Sequence, residues 1–155
     1  MSSRRWPLEY YAQAIDKIYS KFQAKFVIGV GRDEMHLASK LTNMANANII
    51  NLAGLLDIIE LGALIRRCNL FITNDTGPMH IAAILKTPLI AVRGSTDFVR
   101  FDPRNISDKV IVLYKKVDCA PCEKVECEDL KCLKIISPAE VIEGALKLLG
   151  VENLR

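Results

Sequence analysis

Five short apolar runs, Lys25–Val30, Asn48–Asn51, Asn69–Asn74, Pro88–Val92 and Lys109–Leu113, constrain this chain more than any other feature. Helix-period segments lie between the first four, and a long loop separates the last two. The helical faces are Leu37, Leu41 and Met44, then Ile58, Leu61, Ile65 and Cys68, then Ile81–Leu85. A further helix, Leu8 to Phe22 after Pro7, precedes the first run, and another carrying Val141, Ala145 and Leu148 follows the last. Strands separated by helices cannot close as hairpins, so they pair parallel through right-handed crossovers. The expected fold is α/β: a Rossmann-like, doubly wound parallel sheet of about five strands in a three-layer αβα sandwich. Capping boxes at Asp57/Glu60 and Ser137/Glu140 mark two of the helix starts.

At 155 residues and 50% apolar content, residues 1–155 make one domain with an ordinary core. The net charge is +3 and the basic residues are scattered, which argues against nucleic acid as a partner. No apolar run approaches the roughly 20 residues of a transmembrane segment. The N-terminus, with Arg4, Arg5 and Trp6 ahead of a helix, has no signal-peptide pattern. A cytoplasmic location is the expectation.

The segment Asn74-Asp75-Thr76-Gly77-Pro78-Met79-His80 joins the third strand to its helix. Gly77 suits a turn that needs φ > 0 or a ligand close to the backbone. Pro78 suits the first helical position, where a missing N–H costs nothing. The helix start offers free amides and partial positive charge to an anion at the carboxyl end of a strand. Asp75, Thr76 and His80 add a carboxylate, a hydroxyl and an imidazole. The alternative is a plain capped helix in which Asp75 or Thr76 bonds only backbone amides.

Cys68 reads as a small buried hydrophobe. The other four cysteines form Cys119-x2-Cys122-x4-Cys127-x4-Cys132 within a polar loop at 117–134. A zinc tetrathiolate, reduced thiols and a disulfide are the alternatives there.

These motifs, in order, resemble the C-terminal, donor-binding half of the ADP-heptose:lipopolysaccharide heptosyltransferases, which are inverting GT-B glycosyltransferases. The resemblance rests on Arg4-Arg5-Trp6-Pro7, Asn51-Leu52-Ala53-Gly54, Asn74–His80 with Ile81-Ala82-Ala83, Gly94-Ser95-Thr96-Asp97 and Cys119-Ala120-Pro121-Cys122. Two departures accompany it. No acceptor-binding half is present, and the family's donor half begins with a strand and phosphate loop ahead of the basic-x-Trp-Pro segment. Removing that central strand from a 3-2-1-4-5-6 sheet leaves the order 2-1-3-4-5.

The resemblance implies an ADP-heptose-like nucleotide sugar as ligand, and a lipopolysaccharide core acceptor reached through the absent domain. No cofactor is required. Thr76 and the amides near Gly77, Pro78 and Met79 would hold the diphosphate, Asp75 the sugar hydroxyls, and His80 ribose or phosphate. Arg4 would stabilise the leaving group, or else be a mobile terminal arginine. Asp33 would bond ribose or cap a helix, and Leu55 and Leu56 would wall the adenine or join the core. Arg93 stands where the family usually has an aromatic or aliphatic residue, and pairs with phosphate or with Asp97. The general base for transfer lies in the absent half, so the chain alone is expected to be inactive. Two other functions fit the same residues: a stand-alone nucleotide or nucleotide-sugar binding module, and a cysteine-loop interaction protein with a vestigial pocket.

Overall fold

The computed structural model describes residues 2–94, 102–122 and 124–150. Helix α1 (Leu8–Phe22) leads to β1 (Phe26–Ile28), α2 (Met35–Met44), β2 (Ile49–Asn51), α3 (Ile58–Arg67), β3 (Phe71–Asn74), α4 (Gly77–Ile84), β4 (Leu89–Val92) and β5 (Val110–Leu113). A short α5 (Lys131–Lys134) lies inside the cysteine segment, and α6 (Pro138–Leu148) closes the described chain.

All five expected strands form, and every ladder is parallel. Strand β4 shows why the fold is a three-layer sandwich. Its four residues are all fully buried, and alternate side chains enter different cores. Ile90 and Val92 pack with Trp6, Ala14, Ile18, Leu133, Ile136, Val141 and Ala145 beneath α1 and α6. Leu89 and Ala91 pack with Ile65, Met79, Ala82 and Ala83 beneath α3 and α4. A near-continuous apolar strand covered on both faces is what a parallel sheet requires.

One expectation needs correcting. The strands do not form a single 2-1-3-4-5 sheet; they form two ladders, β2-β1 and β3-β4-β5. Among the described residues no ladder joins β1 to β3, so β3 ends a sheet instead of lying inside one. The break falls where the resemblance places the additional strand. The order within each ladder is as expected.

The helix boundaries follow local chemistry. Asp57 accepts from the Ile59 and Glu60 amides (both 2.8 Å) while Glu60 accepts from the Asp57 amide (2.8 Å). On α3, however, Ile58 faces out at 63% exposure instead of joining the core face. At α6, Glu140 Oε2 accepts from the Ser137 amide and from the Ser137 hydroxyl (2.9 Å each), and Lys115 reaches it at 3.0 Å. Burial pushes the Glu140 carboxyl up, but the Ser137 and Lys115 hydrogen bonds outweigh that and leave it below the ordinary carboxylate range. A carboxyl lowered on folding contributes stability above its unfolded range, and that stability is lost as pH falls through the folded value. Glu140→Gln should therefore cost about 1 kcal/mol near neutrality, the scale of a helix cap. It should also flatten the acid limb of stability against pH, measured by urea unfolding across pH 3–7.

Candidate functional site

The residues singled out from the sequence gather at the carboxyl ends of the strands. The chain leaves β1 into a 3-10 turn at Arg32–Glu34, β2 into the turn before α3, and β3 into α4. The N-terminal segment ties these exits together. Arg5 Nη2 donates to Glu34 Oε1 at 2.6 Å, and the very next amide, Trp6 N–H, donates to Asn74 Oδ1 at 3.0 Å. Consecutive residues thus reach the turn after β1 and the end of β3. Trp6 anchors the segment: it is fully buried, its indole N–H donates to Ile136 O (2.9 Å), and Tyr10 and Tyr11 stand edge-on to its ring. Burial, and secondarily Glu34, push the Tyr11 hydroxyl well above its ordinary pKa.

Arg4 is flanked by anchored residues. It lies in a short 3-10 turn, between the anchored Trp6 and Ser3, whose hydroxyl donates to the carbonyls of Lys124 and Val125 and whose amide also reaches Val125 O. The Arg4 Nε is buried and makes no hydrogen bond among the described residues. A buried N–H donor without an acceptor costs about 1–3 kcal/mol unless an acceptor arrives.

The exit of β3 departs from expectation at several atoms. Asp75 is buried, and both Nε (3.3 Å) and Nη2 (3.1 Å) of Arg93 donate to its Oδ2. Arg93 is 1% exposed. The expected choice for Arg93, phosphate or Asp97, thus resolves in part to a third partner; Asp97, with the rest of 95–101, lies outside the described residues. Thr76 is the N-cap of α4 but makes no side-chain cap bond; its hydroxyl lies 3.3 Å from Thr73 Oγ1 and 3.4 Å from Asn74 O. Gly77 opens the helix and Pro78 is second, one place later than expected. Gly77 is not among the glycines with positive φ, and a Cβ there would meet nothing within 4 Å. The glycine is not forced by a left-handed turn; it leaves open space in front of the helix start.

Met79 is the clearest correction among the candidate ligand residues. Its side chain is fully buried with Ile65, Leu89 and Ala91, and its amide already donates to Thr76 O (3.0 Å). It supports the helix from beneath and presents nothing to a ligand. Since Pro78 has no N–H, the amides of Thr76 and Gly77 are the donors at this helix start. His80 is half-buried in the first turn.

The β1 and β2 exits enclose a hollow of about 320 Å³ lined by Gly31, Arg32, Gly54, Leu55, Leu56, Asp57 and Glu60. Leu55 is 68% exposed and Leu56 half-buried, so they wall this hollow instead of filling the core. Gly54 has φ +72°, and a Cβ would come 2.8 Å from Met35 Sδ, so glycine is required both for the turn and for its contact with α2. Asp33 is exposed in the turn after β1. The cap positions of that turn and of α2 are Gly31 and Glu34, so Asp33 does not act as a helix cap.

All five cysteines are free thiols. Cys132 is buried, and its thiol is pushed up by burial and then by the neighbouring Cys119, Cys122 and Cys127. Among the described residues, no three His, Cys, Asp or Glu side chains are placed to hold a metal ion, and no disulfide forms. The segment instead grips Ser3 through its backbone, and Cys132 joins the core with Leu133 and Trp6. Sequence reasoning missed Ser3 and treated Trp6 only as part of a motif; a lone tryptophan beside two tyrosines at helical spacing was the available signal.

A model of the family described as "Glycosyltransferase family 9 (heptosyltransferase)" matches residues 1–133. The chain belongs to glycosyltransferase family 9. This family 9 chain is 33% identical to lipooligosaccharide heptosyltransferase 2 of Campylobacter jejuni, over 99% of its own length and 49% of that protein. It is 32% identical to lipopolysaccharide heptosyltransferase 3 of Escherichia coli K12, over 93% of its length and 42% of the relative's. It thus spans about half the length of the curated relatives it matches. Among solved structures it is similar to a glycosyl transferase family 9 protein from Veillonella parvula (TM-score 0.84, 27% identity, 98% of this chain and 44% of that one). It is also similar to E. coli ADP-heptose LPS heptosyltransferase II (TM-score 0.78, 26% identity, 95% and 42%). The likeness to family 9 covers the fold and the N-terminal segment together. Among the described residues, no helix is long and apolar enough to cross a membrane.

Proposed function

We propose that this chain is the ADP-sugar-binding half of an inverting heptosyltransferase of lipopolysaccharide core biosynthesis, working in the cytoplasm at the inner face of the inner membrane. The observation that carries this reading is the buried, unsatisfied Nε of Arg4, in the segment whose next two residues bond the turn after β1 and the end of β3. A buried cation on a segment tied to the strand that leads into a helix start is suited to a diphosphate held at that start.

In this reading the adenine lies against Leu55 and Leu56, and Asp33 bonds ribose hydroxyls. The diphosphate meets the Thr76 and Gly77 amides, the Thr76 hydroxyl and Arg4. Asp75 and His80 address the sugar and the nearer phosphate. Inverting transfer forms a bond from an acceptor hydroxyl to the anomeric carbon as the bond from that carbon to the phosphate oxygen breaks on the opposite face. ADP departs with the electron pair, and Arg4 and the helix amides stabilise the growing charge. The acceptor's proton goes to a general base on the half of the enzyme that binds the acceptor. No cofactor enters this scheme.

Calorimetry with ADP, ADP-heptose and a UDP-sugar tests it: the two adenine ligands should bind and the uridine one should not. Thr76→Ala should weaken ADP by about 1–2 kcal/mol, the scale of a hydrogen bond to a charged group. Equal ADP binding by the variant and the parent, or no binding by either at about 1 mM, the weak end of specific affinity, would overturn the pocket.

A further inference from the structure

Strands β3 and β4 pair in register up to Asn74 opposite Val92, so Asp75 and Arg93 form the next rung, just past the ladder's end. The Arg93 backbone is fixed from the other side, since its amide donates to Leu113 O of β5 at 3.0 Å. Gly94 presses so closely on α5 that a Cβ would lie 3.1 Å from Cys132 Sγ and from Leu133. The guanidinium is consequently delivered to Asp75 by a rigid backbone, with two N–H groups on one carboxylate oxygen. A charge network continues beyond it. Asp102 is held below the ordinary carboxylate range chiefly by the Arg104 side-chain hydrogen bond, with Arg93 adding to the field.

We infer that Arg93 is a positioning residue for the donor sugar: it anchors the Asp75 carboxylate through Oδ2, and so decides how Asp75 receives sugar hydroxyls. The inference rests on the ADP-sugar reading given above. A carboxylate at the end of a loop samples several rotamers, each presenting its lone pairs differently. Two N–H···Oδ2 bonds from a buried guanidinium anchor that oxygen and narrow the orientations open to the group. The pair is not built chiefly for stability, because a buried ion pair regains little more than the desolvation of its two charges. It acts on the part of the ligand beyond the diphosphate, where Asp75 stands and Arg4 does not.

That division gives the test, made on the 155-residue chain with ADP and ADP-heptose as separate probes. Arg93→Lys keeps the charge and loses the fork. It should leave ADP affinity unchanged and cut the extra affinity for ADP-heptose by about tenfold, as expected for a misdirected hydrogen bond to a charged group. Arg93→Met with Asp75→Asn removes both charges, guards against misfolding from a lone buried ion, and should show the same selective loss. Asp75→Asn alone should lose the sugar increment too, with no further loss when Arg93→Lys is added. If Arg93→Lys weakens ADP and ADP-heptose equally, or neither, Arg93 is structural and the inference falls while the pocket stands. If the parent chain binds neither probe, the pocket reading itself falls.

Discussion

Trp6→Ala is expected to cost about 3–5 kcal/mol, the range for truncating a large buried aromatic, which is a substantial part of a domain's total stability. The residue is fully buried, packs edge-on against Tyr10 and Tyr11, and satisfies the Ile136 carbonyl. Trp6→Phe would keep much of the apolar contact and lose the indole hydrogen bond, so it should cost only about 1–2 kcal/mol. Urea unfolding of the two variants against the parent checks the order. Trp6 also holds the segment carrying Arg4, so at temperatures where Trp6→Ala remains folded its ADP affinity should fall as well. A variant as stable as the parent would show that the N-terminal segment is not the anchor described.

The second large effect is all-or-none. Residues 1–155 alone should give no transfer of heptose from ADP-heptose to a deep-rough lipopolysaccharide acceptor, and turnover should require the acceptor-binding half in cis or in trans. Asp75 is committed to Arg93, and the hollow at the β1 and β2 exits is walled on its outer side by the exposed Leu55. An acceptor hydroxyl approaching a donor sugar beside Asp75 would be neither deprotonated nor shielded from water until a second surface closed over the site. Robust turnover by the chain alone, abolished by Asp75→Asn, would show that the base had been misplaced and that the chain is not half an enzyme.

The parts of this molecule that local chemistry controls were legible in the sequence. The five strands announce themselves as short apolar runs, and the capping boxes at Asp57 and Ser137 form as their spacing requires. The exit from β3 was legible as a helix start with an acidic neighbour. The fate of individual side chains there was not, because contacts distant in sequence decide it. Arg93 lies 18 residues from Asp75, and only the parallel register of β3 on β4 makes them neighbours. Met79 looked like part of a ligand loop because its neighbours are polar, yet the helix turns it inward onto Leu89 and Ala91. The same limit hid the role of the cysteine segment. Its thiols drew attention as ligands, while the work visible in the fold is done by two of its carbonyls, which receive the Ser3 hydroxyl 121 and 122 residues away.

The division of the sheet into two ladders bears on how this chain behaves among other polypeptides. Strands β1 and β3 each pair on one side only among the described residues. The first reads Phe26-Val27-Ile28 and the second Phe71-Ile72-Thr73-Asn74, with none of the charges or prolines that usually protect a sheet edge. Each such edge leaves backbone N–H and C=O groups open to a further extended segment. Unprotected edges of this kind are where one polypeptide can pair with another, so the two ladders make edge pairing, rather than an exposed apolar face, the form that self-association of this fold would take.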